Sequence, residues 1–170
     1  NTYANECFFD ELAAAAGIDP LEFRLKYLDA ADKRGIEVLE RVAALAKWDK
    51  SPSPKKAASG NVVKGRGVSY TKYELVRTYV GAVAEVEVDR STGRITVSKF
   101  YITHDCGQII NPDGLKNQIE GNVIQTVSRT LMEEVKFDRS QVTSLDWKSY
   151  PILKFPEVPE IVIELIDRPT

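Results

Sequence analysis

Between Tyr79 and Leu131 the hydrophobic period of this chain switches from that of a strand to that of a helix, and that change limits the folds open to it. From Tyr79 to Asp89, the residues Val80, Ala82, Ala84, Val86 and Val88 alternate with mostly polar neighbours. That is the two-residue period of a strand with a buried face. Arg90-Ser91-Thr92-Gly93 reads as a turn, with Gly93 supplying a positive-φ position, and Ile95–His104 returns as the partner strand of a hairpin. After a break at Asp105-Cys106-Gly107 and Asn111-Pro112, the period lengthens. Leu115, Ile119, Val123, Val127 and Leu131 advance by four, the buried stripe of a helix from Pro112 to about Glu134.

The segments on either side fill out the order. Asn5–Ala16 is rich in Ala, Leu and Glu and reads as a helix stopped by Gly17. Asp19 with Pro20 is a capped helix start, and Leu21, Arg24, Leu25 and Leu28 continue it. A third helix runs from Asp32 to about Lys47 on Ile36, Leu39, Ala43 and Ala46. Residues 49–60 hold two prolines and little apolar content, a linker after a helical segment at 1–48. Strands are expected at Arg66–Tyr73 and Ile161–Ile166. Helices, then a hairpin, then a long helix and strands give an α+β fold, the antiparallel sheet packed with the long helix.

With 170 residues, 43% of them hydrophobic, the chain can bury a core without disulfides or a structural metal. Its net charge of −2, with both signs interspersed, argues against a large nucleic-acid footprint or a polybasic membrane patch. Cys7 and Cys106 have no metal-ligand spacing, so this chain alone builds neither a disulfide framework nor an iron–sulfur site. No basic and apolar leader precedes the first helix, and the last strand-like stretch stops at Asp167-Arg168-Pro169-Thr170. The chain reads as an excerpt of something longer.

One helix face stands out. Gln118, Gly121, Asn122 and Gln125 fall at i, i+3, i+4 and i+7, opposite the apolar stripe. A solvated face usually carries Glu and Lys, whereas this one offers neutral amides and a glycine. Amides donate and accept, and glycine lets another group approach the backbone. The face therefore suits either a polar, heteroatom-rich ligand or another domain packed through small polar residues. At the helix head, Asn111 and Pro112 make a good start whose free N–H groups either bind an anion or meet only their own cap. His104, the sole histidine, sits beside Asp105, but adjacent strand residues point to opposite faces, and nothing completes a nucleophilic constellation. Cys106 reads as a packed residue and Cys7 as core. Gly65-Arg66-Gly67 is too short for a phosphate loop.

Three ordered stretches carry a resemblance. The first is Glu6–Ala13 followed by Gly17–Leu28. The second is Val86-Glu87-Val88-Asp89, Thr92-Gly93, and Asp105-Cys106-Gly107 leading to Asn111-Pro112. The third is Gln118-Ile119-Glu120-Gly121 with Gln125, Glu133-Glu134, Tyr150-Pro151 and Phe155-Pro156. Together they resemble the large, molybdopterin-binding subunit of the xanthine dehydrogenase/aldehyde oxidase family. Gln125–Leu131 and Ser149–Leu153 look most like the isoquinoline 1-oxidoreductase β-subunit type. Much of the wider family has glycine where this chain has Thr126.

The resemblance implies that 61–170 is an incomplete part of a molybdopterin-binding domain. It implies hydroxylation of an N-heterocycle, or oxidation of an aldehyde, with water as oxygen source. The implied cofactor is molybdenum on a pterin, in bacteria usually the cytosine dinucleotide form. Cys106, Gly107, Asn111, Gln118, Gly121 and Gln125 would line its cavity. The implied partners are the remaining cofactor-binding domain of the same subunit, a [2Fe–2S] small subunit, a small-molecule substrate and, among acceptors, a cytochrome. The resemblance leaves the compartment open between the bacterial cytoplasm and periplasm. The family's base is a glutamate in a Gly-x-Gly-Glu-like segment after the last strand, so no residue here is assigned as catalytic or as a metal ligand. A rival reading is a non-catalytic interaction module that keeps the fold without the chemistry. The isolated chain is expected to fold, since its apolar stripes are complete, yet to hold no cofactor and oxidise neither heterocycle nor aldehyde. Stoichiometric molybdenum in elemental analysis of the purified 170-residue chain would contradict that expectation.

Overall fold

The computed structural model describes residues 1–55, 59–74 and 76–169; residues 56–58 of the expected linker, Leu75 and Thr170 lie outside them. Helix α1 (Thr2–Ala16) ends at Gly17, whose left-handed φ of 64° lets its own N–H and that of Ile18 close on Ala14 and Ala13 carbonyls. In α2 (Pro20–Tyr27) the Asp19 carboxylate accepts from the N–H groups of Leu21 and Glu22, at 2.9 and 3.1 Å. Asp32 caps α3 (Lys33–Leu45) in the same way through Gly35 N–H. Asp19 also accepts from Trp48 Nε1 at 3.0 Å and Ser51 N–H at 3.0 Å, tying the start of α2 to the chain leaving α3.

The sheet has four strands in sequence order: β1 (Val62–Tyr73), β2 (Thr78–Asp89), β3 (Ile95–Asp105) and β4 (Glu160–Leu165). The first three form an antiparallel meander, with Val68 opposite Val83 and Val83 opposite Tyr101. The fourth joins β3 in parallel, Ile102 against Ile163, after a crossover that carries helix α4 (Pro112–Leu131). The hairpin and long helix stand where the period change puts them. The parallel pairing of β4 is a feature that periodicity does not encode.

Because side chains alternate along β2, its two faces serve two cores. Val83 meets Leu21, Leu39, Val42, Ala46 and Val68 under α2 and α3. On the other face, Ile119, Val123 and Val127 of α4 pack with Ile102, and with Val80 and Ala82. Gly81 lies on the α3 face, where an added Cβ would sit 2.6 Å from the Val38 carbonyl oxygen and 2.9 Å from Val42 Cγ1. That absent side chain sets how closely α3 approaches the sheet.

Two differences from the sequence expectations have local causes. Cys7 is exposed rather than core, because α1 docks through polar contacts and buries only Ala13. The buried Arg24 guanidinium bonds Glu6 at 2.9 Å and Asp10 at 2.7 Å, and Glu6 accepts the Tyr70 N–H of edge strand β1 at 2.8 Å. Helix α4 stops at Leu131, short of Glu134, because Glu133 turns away to accept hydrogen bonds from Ser128 Oγ and, at 2.8 Å, Tyr150 OH.

At the end of β3, the fully buried Asp105 carboxylate collects an ion cluster. It accepts from Arg34 Nε at 2.9 Å and Arg34 Nη2 at 2.5 Å, from Arg168 Nε at 3.1 Å, and from Gly107 N–H at 3.1 Å. Arg168 continues to Glu37, and Arg41 bridges Glu37 and Glu164. Burial pushes the Asp105 carboxyl up, but the bonds from Arg34, Gly107 and Arg168 outweigh it and leave it below the ordinary carboxylate value.

Two outcomes follow from this packing. Gly81→Ala should destabilise the chain by about 1–3 kcal/mol through overpacking against α3. Gly67→Ala, with nothing within 4 Å of the added carbon, should be near neutral in the same urea titration. Asp105→Asn should cost at or below about 3 kcal/mol at neutral pH, discounted because both arginines are partly exposed. A depressed folded-state value means the stabilisation is present above the unfolded Asp value of about 3.9 and is lost as pH falls through the folded value. The gap between wild type and Asp105→Asn should therefore close below about pH 4; a gap that stays constant down to pH 2 would contradict this role.

Candidate functional site

Helix α4 is amphipathic in an uncommon sense. One side, with Ile119, Val123 and Val127 buried, is pressed onto β3 and β4. The other side exposes Gln118, Gly121, Asn122 and Gln125. An added Cβ at Gly121 would meet nothing within 4 Å, so the backbone there is open to a ligand. Asn122 Nδ2 donates back to the Gln118 carbonyl oxygen at 2.7 Å, so that amide serves the helix itself. Among the described residues, the side-chain amides of Gln118 and Gln125 have no protein partner.

The head of α4 is capped from within. Asn111 Oδ1 accepts the Gly114 N–H at 2.9 Å, Pro112 occupies the first helical position, and Asp113 adds a negative charge to the first turn. These features weaken the anion-binding reading of that terminus, since the cap takes one free donor and the acidic side chain repels an anion. The Asn111 amide nitrogen remains available to the outside. Just before it, Gly107 takes a left-handed φ of 87°, and Cys106 and Gly107 are half-buried. Burial, then the neighbouring Asp105 charge, pushes the Cys106 thiol up, which suits a packed residue and not a thiolate nucleophile.

Of the six expected site residues, the structure places Gln118, Gly121 and Gln125 along one strip of α4, with Asn111 as its N-cap. It places Cys106 and Gly107 in the loop that leads into its head. Seven residues of helix rise about 10 Å, so the run from residue 111 through 118 to 125 covers about 20 Å. The strip is an open wall and not a closed pocket. A groove of about 370 Å³ beside Trp48 and Arg66, and one of about 300 Å³ between α1 and Ala82, are lined by none of the six. The strip's amides can hold and orient a flat, heteroatom-rich group, and the open Gly121 backbone gives such a group room. They offer no acid or base. His104 sits on the α4 side of β3, and burial lowers its pKa. Among the described residues, no group of three or more His, Cys, Asp or Glu is arranged to hold a metal ion, and no helix is long and apolar enough to cross a membrane.

Sequence reasoning missed Arg34 and Arg168, which hold the loop before α4 through Asp105. They lie 71 and 63 residues from Asp105 in the chain, so no local spacing could have linked them.

Known proteins share this sequence over most of its length. Residues 11–159 match the molybdopterin cofactor-binding domain family. The chain is similar to a subunit of nicotinate dehydrogenase from Pseudomonas putida, 43% identical over 99% of this chain and 15% of that protein. It is also similar to the beta subunit of isoquinoline 1-oxidoreductase from Brevundimonas diminuta, 31% identical over 97% of this chain and 20% of that protein. Among solved structures, quinoline 2-oxidoreductase from Pseudomonas putida 86 superposes with a TM-score of 0.52 at 35% identity, over 55% of this chain and 12% of that one. The chain thus spans a fifth or less of the length of these relatives. With the match extending over most of its length, the chain belongs to the molybdopterin cofactor-binding domain family, of the xanthine dehydrogenase/aldehyde oxidase type.

Proposed function

We propose that this chain forms one wall of the cofactor site in the large subunit of a molybdenum hydroxylase that acts on an N-heterocycle. The observation that carries the reading is the exposed strip of unpartnered glutamine amides around a glycine with open space above it. Relatives named for nicotinate, isoquinoline and quinoline favour a heterocycle over an aldehyde as substrate. A relative named as a membrane-bound aldehyde dehydrogenase keeps the aldehyde class as the alternative substrate.

When bound, a molybdenum–pterin group would supply the two-electron redox chemistry of substrate oxidation. The work of this chain is to bind and orient. Gln118 and Gln125 would hydrogen-bond the heteroatoms of the pterin, and Gly121 would let the ring system lie against the helix backbone. Cys106, Gly107 and the outward amide of Asn111 would close the same wall at the helix head. The cofactor form expected in bacterial relatives, and proposed here, is the cytosine dinucleotide. The other walls and the substrate pocket would come from the remaining cofactor-binding domain, the base from the Gly-x-Gly-Glu-like segment expected after β4, and electrons would leave through a [2Fe–2S] subunit towards an acceptor such as a cytochrome.

Replacing Gln118 in the full-length protein tests this reading. An amide bonded to a neutral ligand group contributes about 0.5–1.5 kcal/mol, and more when the acceptor is charged. Gln118→Ala should therefore lower cofactor affinity about two- to tenfold. Gln118→Glu should lower it further, by placing a negative charge against an anionic cofactor. Gly121→Val should leave helix stability nearly unchanged, since valine is the slightly better helix former, yet should lower molybdenum occupancy. Full molybdenum content in all three variants would return the strip to a mere packing role.

A further inference from the structure

The loop between β3 and α4 is held by the chain that leaves β4. Ile166 N–H donates to the His104 carbonyl oxygen at 2.9 Å, and Arg168 N–H donates to the Gly107 carbonyl oxygen at 3.2 Å. Ile109 N–H donates to Asp167 Oδ1 at 2.8 Å. Arg168 Nε reaches back to the buried Asp105, which also accepts the Gly107 N–H. Gly107 is therefore gripped at both its N–H and its C=O, and Ile109 at its N–H, by Asp105 and the segment 167–168. Arg34 fixes the Asp105 carboxylate from α3 through two nitrogens, and its third nitrogen binds the Val76 carbonyl oxygen at 2.9 Å.

This arrangement costs more than stability needs. A carboxylate with no solvent exposure, shared by two arginines, gains little net free energy over an apolar cluster of the same volume. What it does supply is geometry. Charge-assisted bonds to a planar guanidinium are directional, and Gly107, at a left-handed φ, has no side chain of its own to hold its backbone in place. The cluster also joins three elements distant in sequence, α3, the end of β3 and the exit of β4, at the head of α4.

We propose that Arg168 and Asp105 are positioning residues, a clasp that sets the Cys106–Ile109 loop at the head of the cofactor strip and so governs how tightly the pterin cofactor is held. The inference rests on the cofactor-wall reading above. Its separate content is that cofactor retention depends on residues that do not touch the cofactor. Arg168 is the useful handle, because it is partly exposed and its loss leaves the Arg34–Asp105 pair in place.

The test uses the cofactor-loaded full-length protein, with amide hydrogen exchange and the rate of pterin release on dilution, read by fluorescence. Arg168→Ala should speed exchange at Gly107 and Ile109 about tenfold, as expected for the loss of charge-assisted contacts, with Val83 and Val123 unchanged. It should speed pterin release by a similar factor, and Arg168→Lys should restore part of both. Asp167→Ala should loosen Ile109 alone. A loosened loop with wild-type pterin release, or a wild-type loop in Arg168→Ala, would overturn the clasp. Faster exchange at Val83 as well would mark a general loss of stability and overturn it too. In the wild type, cofactor loading should slow exchange at Gly107 and across 118–125. Failure of that protection would overturn the cofactor-wall reading and the clasp with it, which separates the two failures.

Discussion

The burial of β2 and β3 on both faces is the constraint from which the rest of the molecule follows. Each face needs an apolar cover, and the chain supplies α3 for one and α4 for the other. Burying a Val, Leu or Ile side chain contributes about 1.5–3 kcal/mol, so Val83 on one side and Ile102 on the other fix both helices firmly. Once Ile119, Val123 and Val127 are committed to the sheet, the orientation of α4 about its axis is set. Gln118, Gly121 and Gln125 must then face outward. The direction of the candidate wall is thus decided by residues that take no part in it.

The second determinant is electrostatic and acts at one end of the sheet. Hydrophobic packing fixes where α4 lies but does not specify the path of the loop before it. Asp105 does so through its bonds to Arg34, Arg168 and Gly107. A buried carboxylate is costly unless its bonding sites are filled, and here four donors from three parts of the chain fill them. The parallel entry of β4 beside β3 is what brings Arg168 within reach. An added antiparallel strand would carry its exit away from the loop.

Much of this could be read from the residues, and the reasons differ by element. Asp19, Asp32 and Asn111 announce helix starts because capping is a local event, and all three side chains accept the expected backbone N–H groups. The hairpin and α4 follow from period alone. The amide strip was visible because glutamine and glycine stood where glutamate and lysine are usual. Position-by-position patterns carry no information on partners far along the chain, so Arg24 on Glu6, Arg34 on Asp105 and the parallel register of β4 were hidden. Cys7 misled for a related reason. An Ala- and Phe-rich helix looks like core, yet α1 is anchored by ions and leaves Tyr3, Phe8 and Cys7 exposed.

The central claim is that the outward strip of α4 is a cofactor wall, and a structure of the full-length protein purified with its molybdenum bound tests it most directly. The account requires pterin heteroatoms within hydrogen-bonding distance of the Gln118 side-chain amide and the ring system in van der Waals contact with the Gly121 backbone. Protein side chains from a neighbouring domain filling the space over Gly121, with the cofactor bound elsewhere, would contradict it.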